Sequence, residues 1–105
     1  MSEKVSIVTP CFNGESYIDR YMKTIFNLEY DNIQLIIVDD GSTDGSYKKL
    51  KQYSDSLAEH NIEYILVSKK NEGQSAAFNC GVKRATGKYL VWPIDSNYTS
   101  IFLFW

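Results

Sequence analysis

The chain has 105 residues, with 11 Lys plus Arg against 13 Asp plus Glu and a formal net charge of −2. That length suits one domain with a workable core, and the balanced charge excludes a nucleic-acid surface built on a basic patch. Cys11 and Cys80 are the two cysteines; far apart and without Cys-x-x-Cys spacing, they read as small reduced core residues, not as a zinc site or a disulfide framework.

Met1 to Lys4 leads straight into an apolar run with no basic segment before it and no cleavage pattern, so a cytoplasmic location is expected. No apolar stretch has the length of a membrane span. Residues 5–9 form a short β-rich run, and Pro10 is expected to stop it as a central strand because proline donates no ladder hydrogen bond. From Ser16 onward Tyr17, Ile18, Tyr21, Met22, Ile25 and Leu28 fall on one helical face. Residues 33–38 are an apolar, β-branched run of the kind covered on both faces, and they end abruptly in Asp39-Asp40-Gly41-Ser42-Thr43-Asp44-Gly45-Ser46. Tyr47, Leu50, Tyr53 and Leu57 then recur at three- and four-residue steps among lysines, which predicts a single amphipathic helix ending near His60-Asn61. There His60 reads as a partner of the helix dipole, and Lys48, Lys49 and Lys51 as a solvated face.

Residues 62–67 are the third strand and residues 69–74 a polar loop. Gln74 or Ser75 opens a third helix through Ala77, Phe78, Gly81, Val82 and Ala85, which Thr86-Gly87 is expected to close with glycine in the left-handed position. Lys83, Arg84 and Lys88 read as solvated charges near its end. A fourth strand over residues 89–92 leads to Pro93-Ile94-Asp95-Ser96-Asn97.

This alternation predicts an α/β fold: a mainly parallel sheet with right-handed crossovers and helices on both faces. All strands then point their carboxyl ends one way, and residues 9–14, 39–46, 69–75 and 94–97 converge on that edge. Ligands of open α/β sheets bind there, so Asp39 and Asp40 are placed to contact one. The competing reading is local: Asp39 begins an Asx turn, and Asp44 or Ser46 caps the next helix.

The first loop, Pro10-Cys11-Phe12-Asn13-Gly14, has neither the Gly-x-Gly-x-x-Gly of a dinucleotide fold nor the Lys-Ser or Lys-Thr of a P-loop. It offers an aromatic and an amide, and the second loop offers carboxylates that accept hydrogen bonds from a base N–H or from ribose hydroxyls. That set suits a nucleoside. Phe12 either stacks on a base or plugs the top of the sheet.

Four segments carry a resemblance: Val5-Ser6-Ile7-Val8-Thr9-Pro10-Cys11-Phe12-Asn13, Ile37-Val38-Asp39-Asp40-Gly41-Ser42-Thr43-Asp44-Gly45-Ser46, Asn71-Glu72-Gly73-Gln74-Ser75-Ala76-Ala77-Phe78-Asn79-Cys80-Gly81 and Ala85-Thr86-Gly87-Lys88-Tyr89. In order and spacing they resemble the nucleotide-binding half of family 2 glycosyltransferases, with a Rossmann-like GT-A fold, over about residues 4–97. The resemblance implies transfer of a sugar from a nucleoside diphosphate sugar, here a UDP-sugar, to an acceptor in polysaccharide or glycoconjugate assembly. It further implies a nucleotide site of Pro10, Phe12, Asn13, Glu15 at the rim, Asp39 on the base, Asp40, and the loop holding Asn71, Gly73 and Ser75.

The same resemblance implies Mn²⁺ or Mg²⁺ at the diphosphate, and the matching positions are Asp95 and Asn97. Family members usually carry Asp-x-Asp there, and a neutral amide cannot offset the cation's charge as a carboxylate does. Pro93-Ile94 also makes the approach one residue longer, and a one-residue slip turns strand side chains to the other face. The family's general base and acceptor site come from chain beyond the resembling residues, so residues 1–97 are expected to bind a donor without turning it over. Residues 98–105 form an apolar tail expected to pack on the sheet, pair with a second copy or stay exposed. The alternative is a non-catalytic nucleotide-binding or assembly module. A doubly wound signalling domain would use similar acids, but it wants a lysine near the end of the last strand, and none is identified.

Overall fold

A computed structural model describes residues 2–91 of the chain. Trp92, the Asp95–Asn97 motif and the apolar tail lie outside those residues. The elements run β1 (Val5–Cys11), α1 (Ile18–Phe26), β2 (Ile33–Asp40), α2 (Ser46–Gln52), α3 (Ser54–Glu59), β3 (Glu63–Lys69), α4 (Gln74–Val82) and β4 (Tyr89–Val91). The sheet order is β3-β2-β1-β4, and the three pairings β1–β2, β2–β3 and β1–β4 are parallel.

β2 is buried along its whole length, as a mainly apolar strand with a neighbour on each side is expected to be. Its side chains alternate between faces. Leu35 and Ile37 join Ile7, Cys11, Ile18, Met22, Ile25, Leu50 and Leu57 in a core beneath α1, α2 and α3. Ile36 and Val38 join Val8 and Ala77 in a second core beneath α4. Helices therefore cover both faces, as the sequence predicts. Each fully buried Leu or Ile contributes on the order of 1.5–3 kcal/mol, so both layers are held mainly by apolar burial.

Several expectations need correction. Pro10 does not stop β1, which runs on to Cys11 with Pro10 opposite Val38 and Cys11 opposite Asp39. Among the described residues β4 pairs with β1 only from Val5 to Ile7, so at Pro10 the strand has a described neighbour on one side only and tolerates a missing donor. β2 and β3 extend past the apolar runs to include Asp39-Asp40 and Ser68-Lys69, because the ladder continues in register with Asp40 opposite Lys69. The single helix predicted after the acidic loop is two short helices meeting at Tyr53, whose hydroxyl donates to Asp19 of α1. Leu28 lies beyond α1 and is exposed.

α4 ends at Val82, and Gly87 is not a left-handed cap. A Cβ there would lie 2.6 Å from Ser6 Oγ and 2.8 Å from Lys4 O, so glycine is needed for close approach to β1. The Gly87 N–H donates to Ser6 Oγ at 2.8 Å, and the Thr86 N–H donates to Gln34 Oε1 at 3.0 Å. Ser6, Gln34, Glu63, Lys4 and Thr86 thus form a polar latch at the amino ends of the strands, which fixes the entry to β4.

Candidate nucleotide site

At the carboxyl edge the β1–α1 and β2–α2 loops are stitched together. Asn13 takes a left-handed conformation, φ 51°, which asparagine tolerates better than most residues. Its side-chain oxygen accepts the N–H groups of Thr43 at 2.8 Å and Asp44 at 3.3 Å, while its own N–H donates to Ser42 Oγ at 2.9 Å. The Gly14 N–H donates to Ser46 Oγ at 2.8 Å, and Glu15 Oε1 accepts the Gly45 N–H at 3.0 Å. Glu15 also lines a shallow hollow of about 280 Å³ with Gly45, Lys48, Lys49 and Gln52.

Gly45, and neither Asp44 nor Ser46, holds the N-cap position of α2; Asp44 braces the helix start from the residue before it. Its Oδ1 accepts from the Ser46 N–H at 2.9 Å and from the Ser46 hydroxyl, tying off the first turn of α2. Burial alone would raise its pKa, but the Ser46 bonds and the Glu15 N–H outweigh that and hold the carboxyl below its ordinary value.

Asp39 and Asp40 are adjacent and both buried, yet strand alternation sends them to opposite faces. Asp40 follows the parity of Ile36 and Val38 toward the α4 side. Its Oδ1 accepts the Glu72 N–H at 3.1 Å and lies 3.4 Å from Lys69 Nζ; its Oδ2 accepts the Gly73 N–H at 3.0 Å. Asn71 Nδ2 donates to the Asp40 carbonyl at 2.9 Å. Lys69, read from sequence as loop, is the counter-charge at the end of β3; the Glu72 carboxylate bonded at 2.7 Å, with Asp40 behind it, raises its pKa.

Asp39 follows the parity of Leu35 and Ile37, beside Cys11. Ser42 donates its hydroxyl to Asp39 Oδ1, a bond from three residues on in place of the two-residue N–H contact of an Asx turn. Burial nonetheless raises the Asp39 pKa; Ser42, through hydroxyl and N–H, offsets part of this, and the charges of Asp44 and Asp40 add to it. Burial, with Asp39 next in weight, pushes the Cys11 thiol up to about 12, so Cys11 stays protonated and is no nucleophile.

The structure brings Pro10, Phe12, Asn13, Asp39, Asp40, Asn71 and Gly73 to one edge, with Glu15 at the seam of the first two loops and Ser75 exposed in the first turn of α4. Phe12 is half-buried. Asp95 and Asn97 lie outside the described residues, and among the described residues no three acids, histidines or cysteines gather as a metal site. Lys49 is more than a solvated charge, since it pairs with Asp19 at 2.9 Å and bonds the Glu15 carbonyl. His60 Nδ1 meets the Ser56 carbonyl at 2.7 Å and stacks on Phe26, a structural place at a helix end. Sequence reasoning missed Ser42 and Lys69; the strand register Asp40–Lys69 is the signal that finds the second.

A parallel α/β layer with loops and acids gathered at its carboxyl edge defines a ligand-binding domain of the nucleotide-handling kind. The model of the glycosyl transferase family 2 matches residues 6–96, and the chain belongs to that family. Glycosyltransferase GlyA of Streptococcus pneumoniae is 34% identical over 97 residues, which is 92% of this chain and 13% of that protein. TuaG of Bacillus subtilis, named for teichuronic acid biosynthesis, is 32% identical over 89% of this chain and 35% of its own length. The chain thus spans 13% to 35% of these relatives' lengths. Among solved structures, the mannosyltransferase PcManGT from Pyrobaculum calidifontis, in complex with GDP-Man and Mn²⁺, superposes with a TM-score of 0.77 at 22% identity, covering 86% of this chain and 26% of that one. S. aureus TarS in complex with UDP gives a TM-score of 0.73 at 20% identity, over 85% of this chain and 26% of TarS. These two likenesses establish the GT-A fold. Among the described residues no helix is long and apolar enough to cross a membrane.

Proposed function

We propose that this chain forms the donor-binding portion of a transferase that passes a sugar from a UDP-sugar to an acceptor in polysaccharide or glycoconjugate assembly. The observation that carries this reading is the juxtaposition, on adjacent strand ends, of the Phe12-Asn13 loop with Asp39, whose charge is compensated among the described residues by Ser42, in a chain of glycosyl transferase family 2. An under-compensated buried carboxylate favours a ligand that brings its own N–H donor, as a base does. The naming of TuaG for teichuronic acid biosynthesis and the UDP bound by TarS support the polymer and the nucleotide respectively.

In this reading Phe12 and Pro10 flank the base, Asp39 accepts its N–H, Asn13 and Glu15 hold the first two loops together, and residues 71–75 lie beside the nucleotide. The general base and the acceptor site are expected from the part of the family architecture that follows the donor-binding portion. A cytoplasmic location belongs to the same proposal, supported by two free cysteines, Cys11 and Cys80. Calorimetry with UDP, GDP and dTDP tests it: UDP binds best, and Asp39→Ala weakens it by roughly 1–3 kcal/mol through loss of a buried charged hydrogen bond. Equal binding by parent and variant removes Asp39 from the site.

Mn²⁺ or Mg²⁺ would be held by Asp95 and Asn97, supplying positive charge at the donor diphosphate. The donor set, one carboxylate and one neutral amide, is weaker for a hard cation than two carboxylates. We therefore expect Mn²⁺ to tighten UDP binding only modestly and Asn97→Asp to enlarge that gain. No gain in the variant would implicate the longer Pro93-Ile94 approach in place of the missing charge.

A further inference from the structure

We propose that Asp40 is the positioning residue of the nucleotide site: without touching the ligand, its carboxylate holds residues 71–73 in the shape that meets the nucleotide. The inference rests on the nucleotide-binding reading above.

Asp40 has a fully buried side chain, and the partners on both carboxylate oxygens are committed. The Glu72 and Gly73 N–H groups, 3.1 and 3.0 Å away, are consecutive donors on one loop, and Lys69 brings the third contact from the strand that feeds that loop. The backbone answers from the other side, where Asn71 Nδ2 caps the Asp40 carbonyl at 2.9 Å. Two glycines adapt the chain to this clasp. Gly41, φ +72°, lets the β2 loop pass so close that a Cβ would sit 2.6 Å from the Asn71 nitrogen. Gly73, φ +102°, turns the chain into α4 with nothing within 4 Å of its missing Cβ, so its glycine serves backbone conformation alone.

A carboxylate that accepts neighbouring N–H groups fixes a loop as a ligand would, and here the ligand is covalently part of the sheet. Opening the loop would take both N–H groups off a buried carboxylate and leave it Lys69 alone among the partners named here, so the loop conformation is set before any nucleotide arrives. Such preorganisation lowers the cost of binding.

The test uses the whole chain with UDP and GDP as probes, well below the melting transition. Asp40→Asn presents an NH₂ group where at least one donor must be met, so nucleotide affinity falls at least tenfold, and amide hydrogen exchange rises at Glu72, Gly73 and Gln74 while residues 34–38 of β2 stay protected. Gly73→Ala, which strains the same loop from its far end, causes a similar loss, and the double variant loses little more than either single one. A merely structural Asp40 would lower the melting temperature and leave affinity in the cold unchanged. Should Asp40→Asn fail to fold, Gly73→Ala decides: a folded variant that binds within twofold of the parent overturns the proposal. So does Asp40→Asn binding within twofold, or losses of the two variants that multiply independently. A parent that binds neither nucleotide ends the nucleotide reading itself and this inference with it, an outcome distinguished by the blank in the unmutated chain.

Discussion

Asp39 and Asp40 share a strand end, a residue type and near-complete burial, and they differ in everything that decides their chemistry. Asp40, on the α4 face, has its charge met by two backbone N–H groups and Lys69. Asp39, on the α1–α3 face, is met by Ser42 and lies near two further carboxylates, so burial leaves its charged form disfavoured. One residue of strand alternation separates a carboxylate spent on the fold from one held in reserve. The comparison teaches that an acidic pair at a sheet edge is read by face and partners, not by position alone.

The largest effect expected from breaking the comparison is at Asp40. Asp40→Ala strands the Glu72 and Gly73 N–H groups, while Lys69 keeps its bonds to the Glu72 carboxylate and the Lys70 carbonyl, and two orphaned donors alone cost roughly 2–4 kcal/mol. Urea unfolding should show that loss at neutral pH. A change below about 1 kcal/mol would mean that water replaces the carboxylate at little cost, and that the clasp is not what holds the loop.

Gly41→Ala attacks the same clasp through the backbone. With φ +72° and a Cβ that would meet the Asn71 nitrogen at 2.6 Å, it must both strain the turn and displace the loop, for about 1–3 kcal/mol. Gly45→Ala is the informative control: the nearest atoms to its Cβ would be those of the Glu15 carboxylate, the movable end of a flexible side chain, so a smaller loss is expected from thermal melting. Equal losses would show that backbone approach at Asn71 is not the constraint.

Much of this architecture is legible in the sequence. The apolar run over residues 33–38 flanked by amphipathic segments specifies a doubly covered central strand, and four spaced motifs carry the family. What sequence periodicity could not give is where strands stop and which acid is compensated. The ladder overran its apolar run because Asp39 and Asp40 find partners in register on β1 and β3, a tertiary fact. Pro10 misled for the same reason, since a proline is judged by the strand beside it at that level. The predicted helix over residues 47–60 is divided at Tyr53, where the N–H bonds the Leu50 carbonyl three residues back, a local tightening no 3.6-residue pattern encodes. Gly87 was correctly singled out and wrongly explained: its role is proximity to Ser6 and Lys4, which only the packed sheet reveals.

Ser42 joins the two halves of the comparison, since its hydroxyl donates to Asp39 and accepts the Asn13 N–H. Ser42→Ala therefore removes Asp39's chief compensation and loosens the first loop, for roughly 1 kcal/mol. The loss should shrink when Asp39 is already Asn, because the neutral amide needs the hydroxyl less. A double-mutant cycle by urea denaturation reads that coupling, and strict additivity would separate Ser42 from Asp39.

The smallest change in stability, and the one of opposite sign, is expected from Asp39→Asn. The amide oxygen still accepts the Ser42 hydroxyl, while the repulsion from Asp44 and Asp40 and the desolvation of a charge disappear. Because the folded-state pKa of Asp39 lies above its unfolded value, the ionised group costs stability at neutral pH, and that cost is relieved as pH falls through the folded pKa toward the unfolded one. The advantage of Asn over Asp should thus be greatest near pH 7 and should vanish in acid. Asp44, Asp19 and Glu63, with lowered pKa values, make both proteins less stable in acid, so only the difference between them isolates Asp39. UDP binding should move the other way: it needs the carboxylate, so it is weaker in the variant throughout and weakens in the parent as acid protonates Asp39. Paired unfolding and calorimetric titrations across pH 4–8 test both signs, and an Asn variant that is less stable than the parent at neutral pH yet binds UDP equally would make Asp39 an acid that serves the fold alone.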